Sequence, residues 1–458
     1  MSADRPAIRP NLLIITCHDV GDYWGCYGTP VPTPHIDSLA ADGVLFERHF
    51  TTATVCSPSR GSITTGCYPP TNGLTGNVHR GDAIDLDRCP ATPALLAAQG
   101  YETHLFGFQH EHWDGHRLGY QEVHLGATRH VDDVADALVA WLRARQPGAG
   151  PFLVGMGCTE THRNGMAPSG FHYEKYEPAD PATVAVRPCL PDIPAVRGEL
   201  ADFYGAIKLV DQSLGLILAA LDEAGLRGST LVVFTSDHGG SFLHSKATVY
   251  DGGLKVGLLM RWPGVLPAGG RVGSLTSHVD ILPTLLDLLG LPVPAHVQGI
   301  SAAGLARGTG GTPRQYIYAG RDYGARAVRS ERFKYMRNLL PYSVHDTGMR
   351  EIVLCPAGRW ENLAVLDHYE AERSLEHLYD LERDPAELHN VAADPAYAGD
   401  LAALRAALDA HLAETDDDFR HLAVPAGLHP PRDAWAEIRA ARHRGDPNLQ
   451  AVVSLGED

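Results

Sequence analysis

The run Asn11-Leu12-Leu13-Ile14-Ile15-Thr16 has the length of a strand and shows no polar alternation. A strand with one wet face alternates, so a run like this must be covered on both faces, as central strands of parallel sheets are. Parallel neighbours need crossover connections, usually helices. This run therefore commits the chain to an α/β architecture, and the next 290 or so residues agree with it. Helical patterns at 34–42, 92–99, 131–145 and 198–221 alternate with strand patterns at 44–50, 101–106, 151–156 and 229–235, and further signals follow at 254–261 and 278–289. In the longest helix Leu200, Phe203, Tyr204, Ile207, Val210, Leu214, Ile217 and Leu221 keep a 3.6-residue spacing, which is a core stripe.

The pattern changes after a Gly- and Thr-rich linker at 305–313. Short, closely spaced strand candidates at 316–320, 325–330 and 333–337 suit antiparallel pairing, and a late helix is expected at 401–413. The polar tail 425–458 is expected to wrap the surface. At 458 residues the chain is too long for one core. It is expected to divide into a larger domain, 1–312, which carries the chemistry-bearing segments described below, and a C-terminal subdomain, 313–458, with an antiparallel sheet and a helix.

The balance of 38 Lys and Arg against 55 Asp and Glu leaves a net charge of −17. No basic tract exists to neutralise phosphates, so a nucleic-acid partner is not expected. No apolar run of membrane-spanning length stands out, and the polar first ten residues carry no charged-then-apolar leader. The eight cysteines are scattered, without paired zinc spacing or a small disulfide framework. These features point to reduced thiols and a cytoplasmic location, and they leave oligomeric state open.

Three segments carry chemistry. In Cys56-Ser57-Pro58-Ser59-Arg60-Gly61-Ser62-Ile63-Thr64-Thr65-Gly66 a thiol stands at the mouth of a helix with Arg60 one turn on. Free N–H groups and the macrodipole favour negative charge there. The competing reading is a buried structural thiol before an ordinary helix. The other two segments are strand ends: His18-Asp19 follows the first strand, and Asp237-His238 follows the strand at 229–235. Ligands of open α/β sheets gather at such carboxyl ends. If both strands are central, two carboxylates and two imidazoles meet in a site for a divalent cation.

Cys-x-Pro-Ser-Arg followed by Thr-Gly resembles the signature of the sulfatase family of the alkaline phosphatase superfamily. The resemblance runs over nearly the whole chain. It includes Tyr101-Glu102-Thr103, Lys246 before Tyr250-Asp251-Gly252-Gly253, Glu376-His377-Leu378-Tyr379-Asp380-Leu381 and Asp384-Pro385-Ala386-Glu387-Leu388-His389-Asn390. Within the family, Ile193 to Ala201, Thr161-His162-Arg163 and Arg337-Asn338-Leu339 look like the heparan N-sulfatases (sulfamidases). The implied fold is alkaline phosphatase-like: a large mixed, mostly parallel sheet between helix layers, with a smaller C-terminal α+β domain.

The resemblance also implies an activity. Cys56 is oxidised to formylglycine by a maturation enzyme, and the aldehyde hydrates to a gem-diol. One hydroxyl, polarised by the metal and Arg60, attacks sulfur, and the other later expels sulfate. Lys246 holds a sulfate oxygen, His162 protonates the leaving oxygen or nitrogen, and His110 takes the second proton. His18, Asp19, Asp237 and His238 fall on the metal positions. The substrate is expected to be a sulfate ester or sulfamate on a sulfated small molecule or oligosaccharide.

The chain departs from the family pattern at three places. His18 stands where an aspartate is expected; two imidazoles favour Mn, Zn or Fe over Ca, with Ca or Mg still open, and His18 outside the shell is the alternative. Phe108 replaces a pocket lysine, for which His112, His116 or Arg117 are candidate substitutes. Thr159 replaces a histidine. These departures keep open a phosphonate monoester or phosphodiester hydrolase, and, in a different class, a non-catalytic anion-binding homologue.

Overall fold

A computed structural model describes residues 9–125, 128–146, 148–163, 171, 175–190, 192–321, 324–338 and 374–417. The tail 425–458, Leu339 and Cys355 lie outside them. The first sheet contains β1 (Asn11–Cys17), β2 (Val44–Phe50), β3 (Glu102–Gly107), β4 (Glu122–His124), β5 (Phe152–Gly157), β6 (Thr230–Ser236), β7 (Leu258–Arg261) and β8 (Gly270–Ser277). Their order across the sheet is β4-β3-β5-β1-β6-β7-β2-β8. All run parallel except β7, which is antiparallel to both β6 and β2.

β1 lies between β5 and β6, as its unalternated run demands. Leu13 and Ile15 enter one core with the helices Pro34–Ala41, Val131–Ala144 and Pro194–Glu223. Leu12 enters another core with Ile63, Leu96 and the helix Ile281–Leu288. β6 divides the same way: Val232 and Phe234 to the first core, Leu231 and Val233 to the second. Helices thus cover both faces, and the strands' carboxyl ends gather at one edge.

The helix Pro194–Glu223 corrects one expectation. Its span Val196–Glu223 is long and apolar enough to cross a membrane by composition. Its stripe from Leu200 to Leu221 is buried in the first core, which accounts for the apolar character.

The second sheet contains β9 (Ile317–Arg321), β10 (Ala325–Arg329), β11 (Phe333–Asn338) and β12 (Glu376–Asp380), in the order β12-β11-β10-β9 and antiparallel throughout. On one face Val328, Tyr335 and Leu378 meet Leu401, Leu404, Leu408 and Leu412 of the helix Ala398–Glu414. On the other, Ile317, Ala319, Ala327 and Met336 share a core with Phe50, Val249, Tyr250 and Leu254. The two sheets are therefore packed together through a common apolar layer. Burying side chains of this size is worth about 1.5–3 kcal/mol each.

Candidate active site

β1 and β6 pair in register up to Cys17 and Ser236. The chain must turn sharply immediately beyond. Asp19 adopts φ 48°, a left-handed conformation that Asp tolerates better than most residues. Its N–H then donates to Asp237 Oδ1 (2.9 Å), while the Gly21 N–H donates to the His238 carbonyl (2.8 Å). Each strand-end loop thus closes the other.

The helix Cys56–Thr65 starts at the same place. Cys56 Sγ lies 3.4 Å from His238 Nε2 and 3.9 Å from His18 Nδ1. Ser59 ties the helix to β6 by donating to the Asp237 carbonyl (2.5 Å). Arg60 Nε donates to Asp237 Oδ2 (3.0 Å), and its Nη2 reaches the carbonyls of Thr16 and Cys17.

The two strand-end pairs and Cys56 form one buried cluster. One ligand-capable atom from each of His18, Asp19, Cys56, Asp237 and His238 lies within 4.8 Å of all the others. His18 Nδ1 is 2.7 Å from Asp19 Oδ1 and 3.2 Å from Asp237 Oδ2, and His238 Nε2 is 3.3 Å from Asp19 Oδ1. His238 Nδ1 faces the Gly239 carbonyl at 2.9 Å and donates to it, so the lone pair of the neutral ring is on Nε2. That lone pair points at a carboxylate oxygen and a sulfur. Acceptors facing acceptors in a dry site are what a divalent cation would unite, so the donor set fits a metal.

The electrostatics agree. Burial pushes His18 down to about 4, against the pull of Asp237 and Asp19, so its ring is neutral and can offer a lone pair. Burial would raise Asp19, but Lys246 and three imidazoles outweigh it and hold the carboxyl well below its ordinary range. Burial opposes ionisation of Asp237 too, and His238, His18 and Arg60 reverse the effect. Burial pushes the Cys56 thiol well up.

Lys246 joins the site from the loop before Tyr250. Its Nζ is 2.9 Å from Asp19 Oδ2 and 2.9 Å from His162 Nε2. Two non-glycine residues of this loop, His244 and Ala247, both adopt φ 60°. Strain of this kind persists only where surrounding bonds hold it; here the Ala247 N–H donates to the Thr54 carbonyl (2.9 Å). His162 donates from Nδ1 to the Arg163 carbonyl (2.7 Å), which leaves Nε2 to accept from Lys246, and its ring stands edge-on to His18 at 4.6 Å. His110 lies further out. Its ring stacks on His79 at 5.6 Å and leans on Phe108 at 5.5 Å, and its buried Nδ1 has no hydrogen-bond partner among the described residues.

The structure therefore brings His18, Asp19, Cys56, Arg60, His162, Asp237, His238 and Lys246 together, with His110 at the margin. His112 and His116 do not replace the pocket lysine: their Nδ1 atoms bond the carbonyls of Asp114 and Tyr120 within their own loop. Sequence reasoning missed Ser241, whose hydroxyl donates to Asp19 Oδ2 (2.6 Å). It also missed that the Phe108 ring packs against His18 at 5.0 Å. Gly239-Gly240 before Ser241 was the one available sign that a backbone turn brings that hydroxyl close.

Comparison with known proteins agrees with this geometry. The sulfatase family model matches residues 10–291. An ulvan-active sulfatase of Formosa agariphila is 28% identical over 90% of this chain and 76% of its own length. Human N-sulphoglucosamine sulphohydrolase is 31% identical over 63% of this chain and 62% of its own. Among solved structures, a 2-O GAG sulfatase superposes with a TM-score of 0.70 at 25% identity, covering 91% of this chain and 95% of that one. The phosphonate monoester hydrolase of Agrobacterium radiobacter superposes with a TM-score of 0.68 at 23% identity, covering 89% and 96%, a likeness of fold. A family model spanning more than half the chain, over residues that build this cluster, settles its membership: the chain belongs to the sulfatase family, within the alkaline phosphatase superfamily.

Proposed function

We propose that this enzyme hydrolyses a sulfate monoester or an N-sulfate on a sulfated sugar or small molecule and releases inorganic sulfate. The observation that carries the reading is the convergence of Cys56 with both strand-end pairs inside one ligand-sized space. Formylglycine, made from Cys56 by a maturation enzyme, supplies the nucleophile in this scheme. A divalent cation held by His18, Asp19, Asp237 and His238 supplies Lewis-acid stabilisation of sulfuryl oxygens. Two imidazoles in that shell favour Mn, Zn or Fe over Ca or Mg.

The chain's own residues do the rest. Arg60 fixes the Asp237 carboxylate and keeps positive charge behind the nucleophile. Lys246 is held by Asp19 beside the space for the sulfuryl group, where it meets a sulfate oxygen as a point charge. His162 is the general acid: its Nε2, which accepts from Lys246 at 2.9 Å in the resting site, first takes up a proton and then passes it to the departing oxygen or nitrogen. His110, neutral because burial and the neighbouring His18 and Arg60 lower it to about 3, accepts the later proton. An unmodified thiol is a poor alternative nucleophile, since burial keeps it protonated.

The N-sulfate option rests on the likeness to human N-sulphoglucosamine sulphohydrolase. A phosphonate monoester is the second reading, favoured by the shared fold and by Phe108 in place of a pocket lysine. Mass spectrometry of the Cys56 peptide tests the nucleophile: loss of the thiol and gain of an aldehyde are expected. Parallel assays on aryl sulfate, aryl sulfamate and aryl phosphonate rank the substrates. A Cys56→Ala variant with full sulfatase activity refutes the proposal.

A further inference from the structure

Two departures from the family pattern meet at one residue that no motif singles out. Phe108 is half-buried, and its ring lies against His18 of the cluster. The same ring has two guanidinium neighbours. Buried Arg60 lies 5.1 Å from its centroid and exposed Arg129 lies 5.9 Å from it. Thr159, the second departure, donates its hydroxyl to the Arg129 carbonyl (3.1 Å), which fixes that backbone beside the loop carrying His162.

The cations here are not equivalent. Arg60 is paired with Asp237 and Lys246 with Asp19. Arg129 has no carboxylate within ion-pair distance among the described residues and rests on the aromatic ring instead. A guanidinium on an aromatic face keeps its fork of donors free for a planar or tetrahedral anion. In a chain of net charge −17, an unpaired arginine at the edge of an anion site is selective placement. Arg60 and Lys246 already serve the reacting group. Arg129 is exposed while Phe108 is half-buried, so the pair lies at the outer margin of the cluster, open to the part of a substrate that projects from it.

We infer that Arg129 and its Phe108 shelf form a specificity subsite for a second anionic group, a sulfate or carboxylate, carried by the leaving group. The inference rests on the hydrolase reading for the identity of the reacting group, but not for the binding itself. It makes the preferred substrate at least a dianion and explains how the chain dispenses with a lysine at position 108.

The test compares phenyl sulfate with ortho-, meta- and para-carboxyphenyl sulfate and with the catechol and resorcinol disulfates. The wild-type enzyme should turn over at least one dianionic compound with a lower KM than phenyl sulfate. Arg129→Ala should remove that advantage, raising KM for the dianion about 10- to 100-fold, the range for a charge-assisted hydrogen bond, while kcat/KM for phenyl sulfate stays within about twofold. Arg129→Lys should keep part of the gain, and Phe108→Leu should lose part of it. The carboxylate and disulfate arms tell which anion the subsite takes. An Arg129→Ala variant that changes neither compound, or weakens both equally, overturns the inference. If the wild-type protein hydrolyses none of them, the hydrolase reading fails on its own. Calorimetric binding of the same compounds to wild type and Arg129→Ala then decides the subsite: a dianion preference lost with the arginine supports it, and equal binding overturns it.

Discussion

At the scale of single residues, His18 has the greatest consequence. In the proposed metal site its imidazole would bring nitrogen into a shell otherwise richer in oxygen, with one negative charge fewer. His18→Asp is therefore expected to shift the site toward hard cations. After equilibration with equal Ca and Mn, metal analysis should show the wild type enriched in Mn and the variant enriched in Ca. A wild type that retains only Ca would show that two imidazoles do not set the preference. The same scale holds a support that spacing could not reveal. Arg163 pairs with Glu199 at 2.5 Å and donates to the Ser241 carbonyl at 2.7 Å, and Ser241 in turn donates to Asp19. Arg163→Met takes the guanidinium away from buried Glu199. A loss of about 3–5 kcal/mol in urea unfolding is expected, larger than the loss from an Arg163→Met/Glu199→Leu pair, because removing both charges removes the desolvation cost. The four metal-capable residues were legible because each pair ends an apolar strand. Ser241, Ser59 and Phe108 were not: a hydroxyl in a Gly-rich turn has no periodicity, and a missing lysine does not say what its replacement touches.

At the scale of elements, legibility followed burial. β1, β5 and β6 are covered on both faces, and their sequences read as unbroken apolar runs. β8 and β4 end the sheet. Gly270-Arg271-Val272-Gly273-Ser274 and Glu122-Val123-His124 need satisfy only one neighbour and carry no such run, so neither was foreseen. β12 was known only as a family segment, since Glu376-His377-Leu378-Tyr379-Asp380 mixes charge with apolar residues. The helix Cys56–Thr65 shows how an element's end is specified. Gly66 caps it at φ 66°, and a Cβ built there would lie 2.8 Å from Val297 Cγ1. Gly66→Ala combines a left-handed alanine with a steric clash. It should destabilise the protein by about 1–3 kcal/mol in chemical denaturation. Activity per folded molecule should change little, because the helix is anchored at its other end through Ser59. An unchanged unfolding midpoint would mean that the Val297 side yields freely.

At the scale of the whole molecule, the two sheets are joined by charge as well as by apolar contact. Fully buried Lys334 of β11 lies 2.9 Å from Asp251 Oδ1 and 2.6 Å from Glu387 Oε1, and Arg329 of β10 lies 3.0 Å from Asp251 Oδ2. Asp251 closes the loop that carries Lys246, so the small sheet helps hold a residue of the site. The molecule also buries histidines that are not members of the metal-capable cluster. His278 and His411 are each lowered to about 3, first by burial, and His49 is pushed well below its ordinary value by burial and by His278. His411 is stacked on Tyr318 at 3.9 Å and meets Tyr68 edge-on at 4.4 Å, at the seam between the sheets. In the folded state these rings stay neutral, while in the unfolded chain they titrate near 6.5. Below that pH the unfolded state binds more protons, so stability falls as pH falls, by up to about 1.4 kcal/mol per pH unit for each ring. The urea midpoint should therefore decline between pH 6.5 and 5. His411→Phe keeps an aromatic ring in the stack and removes one of these titrations, so its stability should decline less steeply, by up to about 1.4 kcal/mol per pH unit. Parallel lines for wild type and variant would show that His411 is protonated in the folded state at pH 5 and that the seam between the sheets admits water there.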